Sequence, residues 1–101
     1  MYATNQNGSQ AYLVPIDPEK LGTNSRQLRR VVGDALERGE RRILVDCSAW
    51  NSPDVMMFST LIGCAQLCAG QGVEFELMNL DGSVHATLRE LRLTPRLNLP
   101  E

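Results

Sequence analysis

The run ILVDC, residues 43–47, constrains this chain more than any other stretch. It is short and β-branched, with no apolar-polar alternation, and a helical pattern lies on each side of it. Such a run reads as a strand covered on both faces, near the middle of a sheet. Strands separated by a helix run parallel and are joined by right-handed crossovers. The chain is therefore expected to be α/β.

The flanking segments extend that reading. Asn7-Gly8 lies between YATNQ and QAYLVPI. Asn-Gly tolerates positive φ at both positions and favours a tight hairpin turn. A short first strand and an antiparallel second strand through Ile16 follow. Pro15 cannot donate to a ladder, so it places the second strand near an edge or at its own end. After a loop, Asn24 is positioned to cap a helix, with Gln27 three residues on. Leu28, Val31, Val32 and Ala35 share one face of that helix. Arg26, Arg29, Arg30, Glu37 and Arg38 take the other faces, and Gly39 stops it.

Beyond ILVDC, Ser52 suits an N-cap, Pro53 the first helical position, and Asp54 the positive end of the helix dipole. The helix ends at Gly70 or Gly72. VEFELMN alternates, with Val73, Phe75 and Leu77 on one face and Glu74 and Glu76 on the other, as in a strand with one wet face. Asp81 caps a last helix whose apolar stripe is Val84, Leu88 and Leu91, and Pro95 ends it. The expected architecture is a mixed sheet of about four strands, an N-terminal hairpin followed by parallel β-α units, packed against three or more helices. The 101 residues suit one domain, 1–101, with a core of about residues 10–93.

Composition excludes several functions. A net charge of −2 and a pI near 5.4 lack the basic field of a nucleic-acid binder. No apolar run approaches the roughly 20 residues of a membrane span. The N-terminal MYATNQNGSQ lacks the charged and apolar regions of a signal peptide, which predicts a cytoplasmic protein. Cys47, Cys64 and Cys68 are an odd set. Cys64 and Cys68 have helical spacing, but two thiols are half a zinc site, so buried reduced cysteines and no metal are expected. The sole histidine, His85, lies on a surface helix near Arg89 and Glu90, among neighbours that read as solvated. GxSxG, Walker and GxGxxG motifs are absent. Asp17 and Glu19 are too few for a metal site. No catalytic residue and no cofactor are expected.

The middle helix carries no charge after Asp54. At 100° per residue, Val55, Phe58, Ile62, Ala65 and Ala69 gather on one side with Leu61 as a flank. That side is the expected core. Met56, Thr60, Gly63 and Leu67 gather opposite, at i, i+4, i+7 and i+11. Either the chain's own third helix or tail covers this uncharged stripe, or it faces water as an interaction surface, where a methionine and a leucine around a glycine suit a partner side chain entering a shallow dent.

The order of elements resembles the STAS domain of bacterial anti-sigma factor antagonists, over roughly residues 10 to 93. ILVDCS is similar to that family's strand ending in Asp-Leu-Ser, with Asp46 and Ser48 on the matching positions. LMNLDGSVHATLRELRL is similar to its later strand, turn and helix, with Asn79 on the family's Asn and Val84, Leu88, Leu91 and Leu93 on its apolar positions. The family's Asp-Ser-Ser-Gly falls on Asp54, Val55, Met56 and Met57. Met56 thus replaces the serine that family members offer to a kinase. In the family, phosphate there adds about two negative charges and releases the partner. The resemblance implies a non-catalytic docking module that binds through the second helix without that switch. The implied surface is Asp54, Met56, Met57, Thr60, Gly63 and Leu67. Ser52, Ser59 and Thr60 are substitute phosphosites to consider. The implied partner is an anti-sigma factor/serine kinase of the histidine-kinase ATPase type. Alternatives are a small cytosolic subunit on the ATPase of a lipid-transport ABC complex and a structural homodimer.

Overall fold

In the computed structural model, residues 2–4, 10–16 and 25–99 are described. In chain order they form β1 (Tyr2–Thr4), β2 (Gln10–Pro15), α1 (Ser25–Glu37), β3 (Arg42–Asp46), α2 (Val55–Gly70), β4 (Glu74–Met78), α3 (Gly82–Glu90) and a 3-10 turn, Thr94–Leu97. The sheet order is β1-β2-β3-β4. β1 is antiparallel to β2, whereas β2, β3 and β4 are parallel. This is the mixed sheet expected from the sequence. The Asn7-Gly8 turn, the Asn24 cap, Asp17 and Glu19 lie outside the described residues.

The register sets Tyr12, Ile43 and Phe75 side by side, and likewise Val14, Val45 and Leu77. Ile43 and Val45 have no exposed surface. Leu28, Val32 and Ala35 from α1, Leu61 and Cys68 from α2, and Val84 and Leu88 from α3 belong to the same core cluster. Burial of a side chain such as Leu61 contributes roughly 1.5–3 kcal/mol.

The opposite face corrects the reading of ILVDC. Leu13, Leu44 and Glu76 share it and are half-buried. β3 therefore alternates in burial, although it does lie inside the sheet. Arg42 also lies on this face. Its Nη2 donates a 3.1 Å hydrogen bond to Glu76, and its Nε makes a 3.3 Å charge contact with Glu74. Pro15 ends β2 in the sheet interior, and the next residue resumes pairing, with Ile16 N donating to Asp46 O at 2.9 Å.

Both helix-to-strand turns use glycine in the left-handed region, Gly39 at φ 83° and Gly72 at φ 71°. A side chain is strained there. Two expectations for the C-terminus are corrected. The last helix ends at a turn through Arg92, at φ 58°, and Pro95 instead lies within the 3-10 turn that follows. Leu91 is 50% exposed because the helix stops before it; Leu97 takes a core position in its place. Asn98 Nδ2 then donates to Phe75 O at 3.0 Å on edge strand β4.

A candidate docking surface on the second helix

The parallel strands β3 and β4 end at the same edge of the sheet, where the segments leading into α2 and α3 emerge. Asp46, Ser48 and Asn79, the residues that carry the family resemblance, meet there. Asp46 Oδ1 accepts from Ser48 N at 3.0 Å and from Asn79 Nδ2 at 3.2 Å. The Ser48 N–H, followed by the Asn79 amide, holds the Asp46 carboxyl below its ordinary pKa. Asn79 sits at φ 58°, a conformation that Asn tolerates better than most residues. This contact ties the two strand ends together.

The next segment fixes where α2 begins. Trp50 is buried and packs edge-on against Phe58, with centroids 5.6 Å apart. The Trp50 backbone N–H donates to Cys47 O at 3.0 Å. The cap of α2 is Asp54, which corrects the assignment of Ser52 as N-cap and Pro53 as the first helical residue. Asp54 Oδ1 accepts from Met56 N at 2.9 Å and Met57 N at 3.4 Å. Either residue type caps well; the anchored Trp50 segment delivers the chain to Asp54, and Ser52 is left exposed.

The helix is rotated by about one residue step, roughly 100°, from the face the sequence suggested. Its buried residues are Met57, Phe58, Thr60, Leu61, Cys64, Ala65 and Cys68. Val55, assigned to the core, is 71% exposed; Ile62 is half-buried and Ala69 exposed. The expected docking flank is accordingly divided. Met56 at 64% and Leu67 at 47% face water, and Gly63 is half-buried between them. Met57 and Thr60 are corrections: Met57 packs into the core, and Thr60 is 1% exposed with its hydroxyl donating to Met56 O at 2.9 Å. Buried and internally bonded, Thr60 is also withdrawn from any kinase. Ser52 and Ser59 remain exposed.

Around Gly63 the surface is dented. A groove of about 350 Å³ is lined by Arg29 of α1 and Gly63, Cys64 and Leu67 of α2. A Cβ built on Gly63 would meet nothing within 4 Å. Val55 and Arg29 were not assigned to this surface from the sequence. Val55 shares its side of the helix with the apolar Ile62 but also with Ser59 and Gln66, whose exposed polar side chains carry the signal that this side faces water. Arg29 was read only as part of a solvated face, and nothing local to it signals the groove.

The thiols are inert by environment. Burial, then the Asp46 charge, pushes Cys47 up to about 12. Burial and Cys68 push Cys64 up to about 11, opposed by Arg29. Cys68 is raised by burial. Among the described residues, no group of three or more His, Cys, Asp or Glu side chains is placed to hold a metal, and no helix is long and apolar enough to cross a membrane.

Comparison with known proteins places this geometry in a family. No curated protein matches the sequence. Among solved structures, an NMR structure of the protein TM1081 is similar, with a TM-score of 0.75 at 17% identity, over 99% of this chain and 78% of that one. A chain from the molecular architecture of the stressosome, a signal integration and transduction hub, is similar with a TM-score of 0.71 at 20% identity, over 95% of this chain and 82% of that one. At such identities these likenesses concern the fold. The STAS domain family model matches residues 2–100, and the chain belongs to the STAS domain family.

Proposed function

We propose that this STAS domain is a non-catalytic signalling module that docks on a protein partner through the start and exposed flank of α2, and that phosphate at position 56 does not control the docking. The carrying observation is Met56. It is 64% exposed, in the first turn of a well-capped helix, at the position where the family resemblance expects a kinase-target serine. Val55 beside it and Leu67 along the helix extend an apolar surface. Contiguous exposed apolar side chains mark interaction sites. Each one fully buried on docking contributes roughly 1.5–3 kcal/mol. Methionine has no hydroxyl, so the charge that would release a partner cannot be added there. The surface consists of Asp54, which fixes the helix start, with Val55, Met56, Gly63 and Leu67. Ser52 and Ser59 are the positions left open to a kinase.

By resemblance the partner is an anti-sigma factor/serine kinase of the histidine-kinase ATPase type, and the domain acts as its constitutive antagonist in transcription regulation. The test is co-purification of the tagged domain from its own cells, wild type against Met56→Asp, with a denaturation curve for each. The expected result is a kinase-type ATPase retained by wild type and lost by Met56→Asp, with folding stability unchanged. Retention by the variant contradicts the reading. Recovery of an ABC ATPase replaces the pathway, and a self-associated domain on sizing chromatography replaces the partner with a second copy. Met56→Ser incubated with a recovered kinase is expected to take up phosphate where wild type does not.

A further inference from the structure

The groove between α1 and α2 has two unlike walls. The α2 wall comes from a helix with no charged residue across its 16 residues, and it presents Leu67 beside the Gly63 notch with Cys64 as lining. The α1 wall is Arg29. Arg29 is exposed and makes no ion pair among the described residues, and the same holds for its neighbour Arg30. An aliphatic side chain entering the notch would pass within reach of a guanidinium that pairs with no anion among the described residues. The groove lies seven residues from Met56, about 10 Å along the helix, on the same flank. A ligand spanning both meets apolar surface first and positive charge second.

We infer that the groove receives a partner segment that pairs an aliphatic side chain, seated over Gly63, with a carboxylate directed at Arg29. This rests on the proposed docking role of α2 and specifies the chemistry of what docks. A helix with Leu, Ile or Met three or four positions from Asp or Glu supplies both groups from one face. Arg binds carboxylate through a planar fork of donors, which makes the pair directional as well as attractive. The apolar contact sets the affinity and the charge contact sets the orientation.

The test uses a phage-displayed library of random 12-residue peptides selected on the intact wild-type domain at low salt. Enriched peptides are measured against wild type, Gly63→Leu, Arg29→Glu and Met56→Asp. Gly63→Leu fills the notch in open space and removes a glycine from a helix interior, so its denaturation curve is expected at or above that of wild type; Arg29→Glu lies at the surface and is expected to match wild type. The inference expects a consensus with an acidic residue three or four positions from an aliphatic one. It expects binding weakened at least tenfold by both groove variants, and more weakly salt-dependent binding to Arg29→Glu. A consensus with basic flanks, or binders indifferent to both groove variants, overturns it. The two levels fail separately. If the co-purified partner is lost by Met56→Asp but not by the groove variants, the groove inference falls and the docking role stands. If peptides respond to the groove variants while the co-purified partner ignores Met56→Asp, the groove stands and the helix-start surface falls.

Discussion

α2 and α3 begin in the same way and diverge within one turn. Each leaves the same edge of the sheet and is capped by an aspartate, Asp54 accepting from Met56 N and Asp81 from Ser83 N at 2.9 Å. Asp81 also accepts from the Ser83 hydroxyl. After its cap, α3 exposes Gly82 and Ser83 and buries Val84, as a helix does when only folding shapes it. After its cap, α2 exposes Val55 and Met56. The caps supply similar local stability, so helix formation does not explain two large apolar side chains in water. The fold makes no interior contact with them, and the proposed docking role gives them a use.

That contrast sets a series of measurements, beginning with the greatest change. Leu61→Ala, on the sealed side of α2, is expected to lower unfolding stability by about 2–5 kcal/mol in urea. Leu67→Ala, on the open side, is expected to change it by no more than about 0.5 kcal/mol. Similar losses at the two sites would mean that both sides of α2 serve the core. Asp54→Ala is expected to cost about 1 kcal/mol, since it removes the acceptor for two amide donors. Asp54→Asn is expected to recover most of that loss. Met56→Asp is expected to leave the denaturation midpoint within about 0.5 kcal/mol of wild type.

Acid gives a smaller effect of known sign. The Ser83 hydroxyl and N–H hold Asp81 below its ordinary value near 3.8, and the Ser48 N–H and Asn79 amide do the same for Asp46. A depressed folded pKa stabilises the fold above the unfolded value, and that stability is lost as pH falls through the folded value. Carboxyl NMR titrations are expected to place both midpoints below 3.8, with Asn79→Ala moving Asp46 upward and leaving Asp81 unchanged. Alkylation of Cys47 and Cys64 at neutral pH is expected to be slow in the folded domain and complete in denaturant, because burial disfavours both thiolates.

The same contrast explains what the sequence could convey. In α1 the arginines mark the wet faces, so the pattern assigns Leu28, Val31, Val32 and Ala35 to the core; Leu28, Val32 and Ala35 are fully buried, and Val31 is half-buried at its margin. α2 has no charge on any side, so its rotation is marked only by the weaker polar signal of Ser59 and Gln66. Its exposed stripe was found in outline, Met56, Gly63 and Leu67, while Met57 and Thr60 turned inward and Val55 outward. The start of α2 offered two good caps two residues apart. The structure uses Asp54, after a segment anchored by the contact of Trp50 with Phe58. The strand directions are legible because a tight hairpin reverses the chain and a helical crossover does not. The open face of β3 was not, because β-branched runs look alike whether one face is covered or two. The groove at Gly63 depends on how α1 crosses α2, which no local pattern encodes.

The decisive observation is an amide chemical-shift map of the isotope-labelled domain bound to its co-purified partner. A docking site on the flank of α2 predicts the largest shifts at Val55, Met56, Gly63 and Leu67, with Arg29 following across the groove. Shifts centred instead on Leu13, Leu44 and Met78, on the half-open face of the sheet, with α2 unmoved, would contradict it.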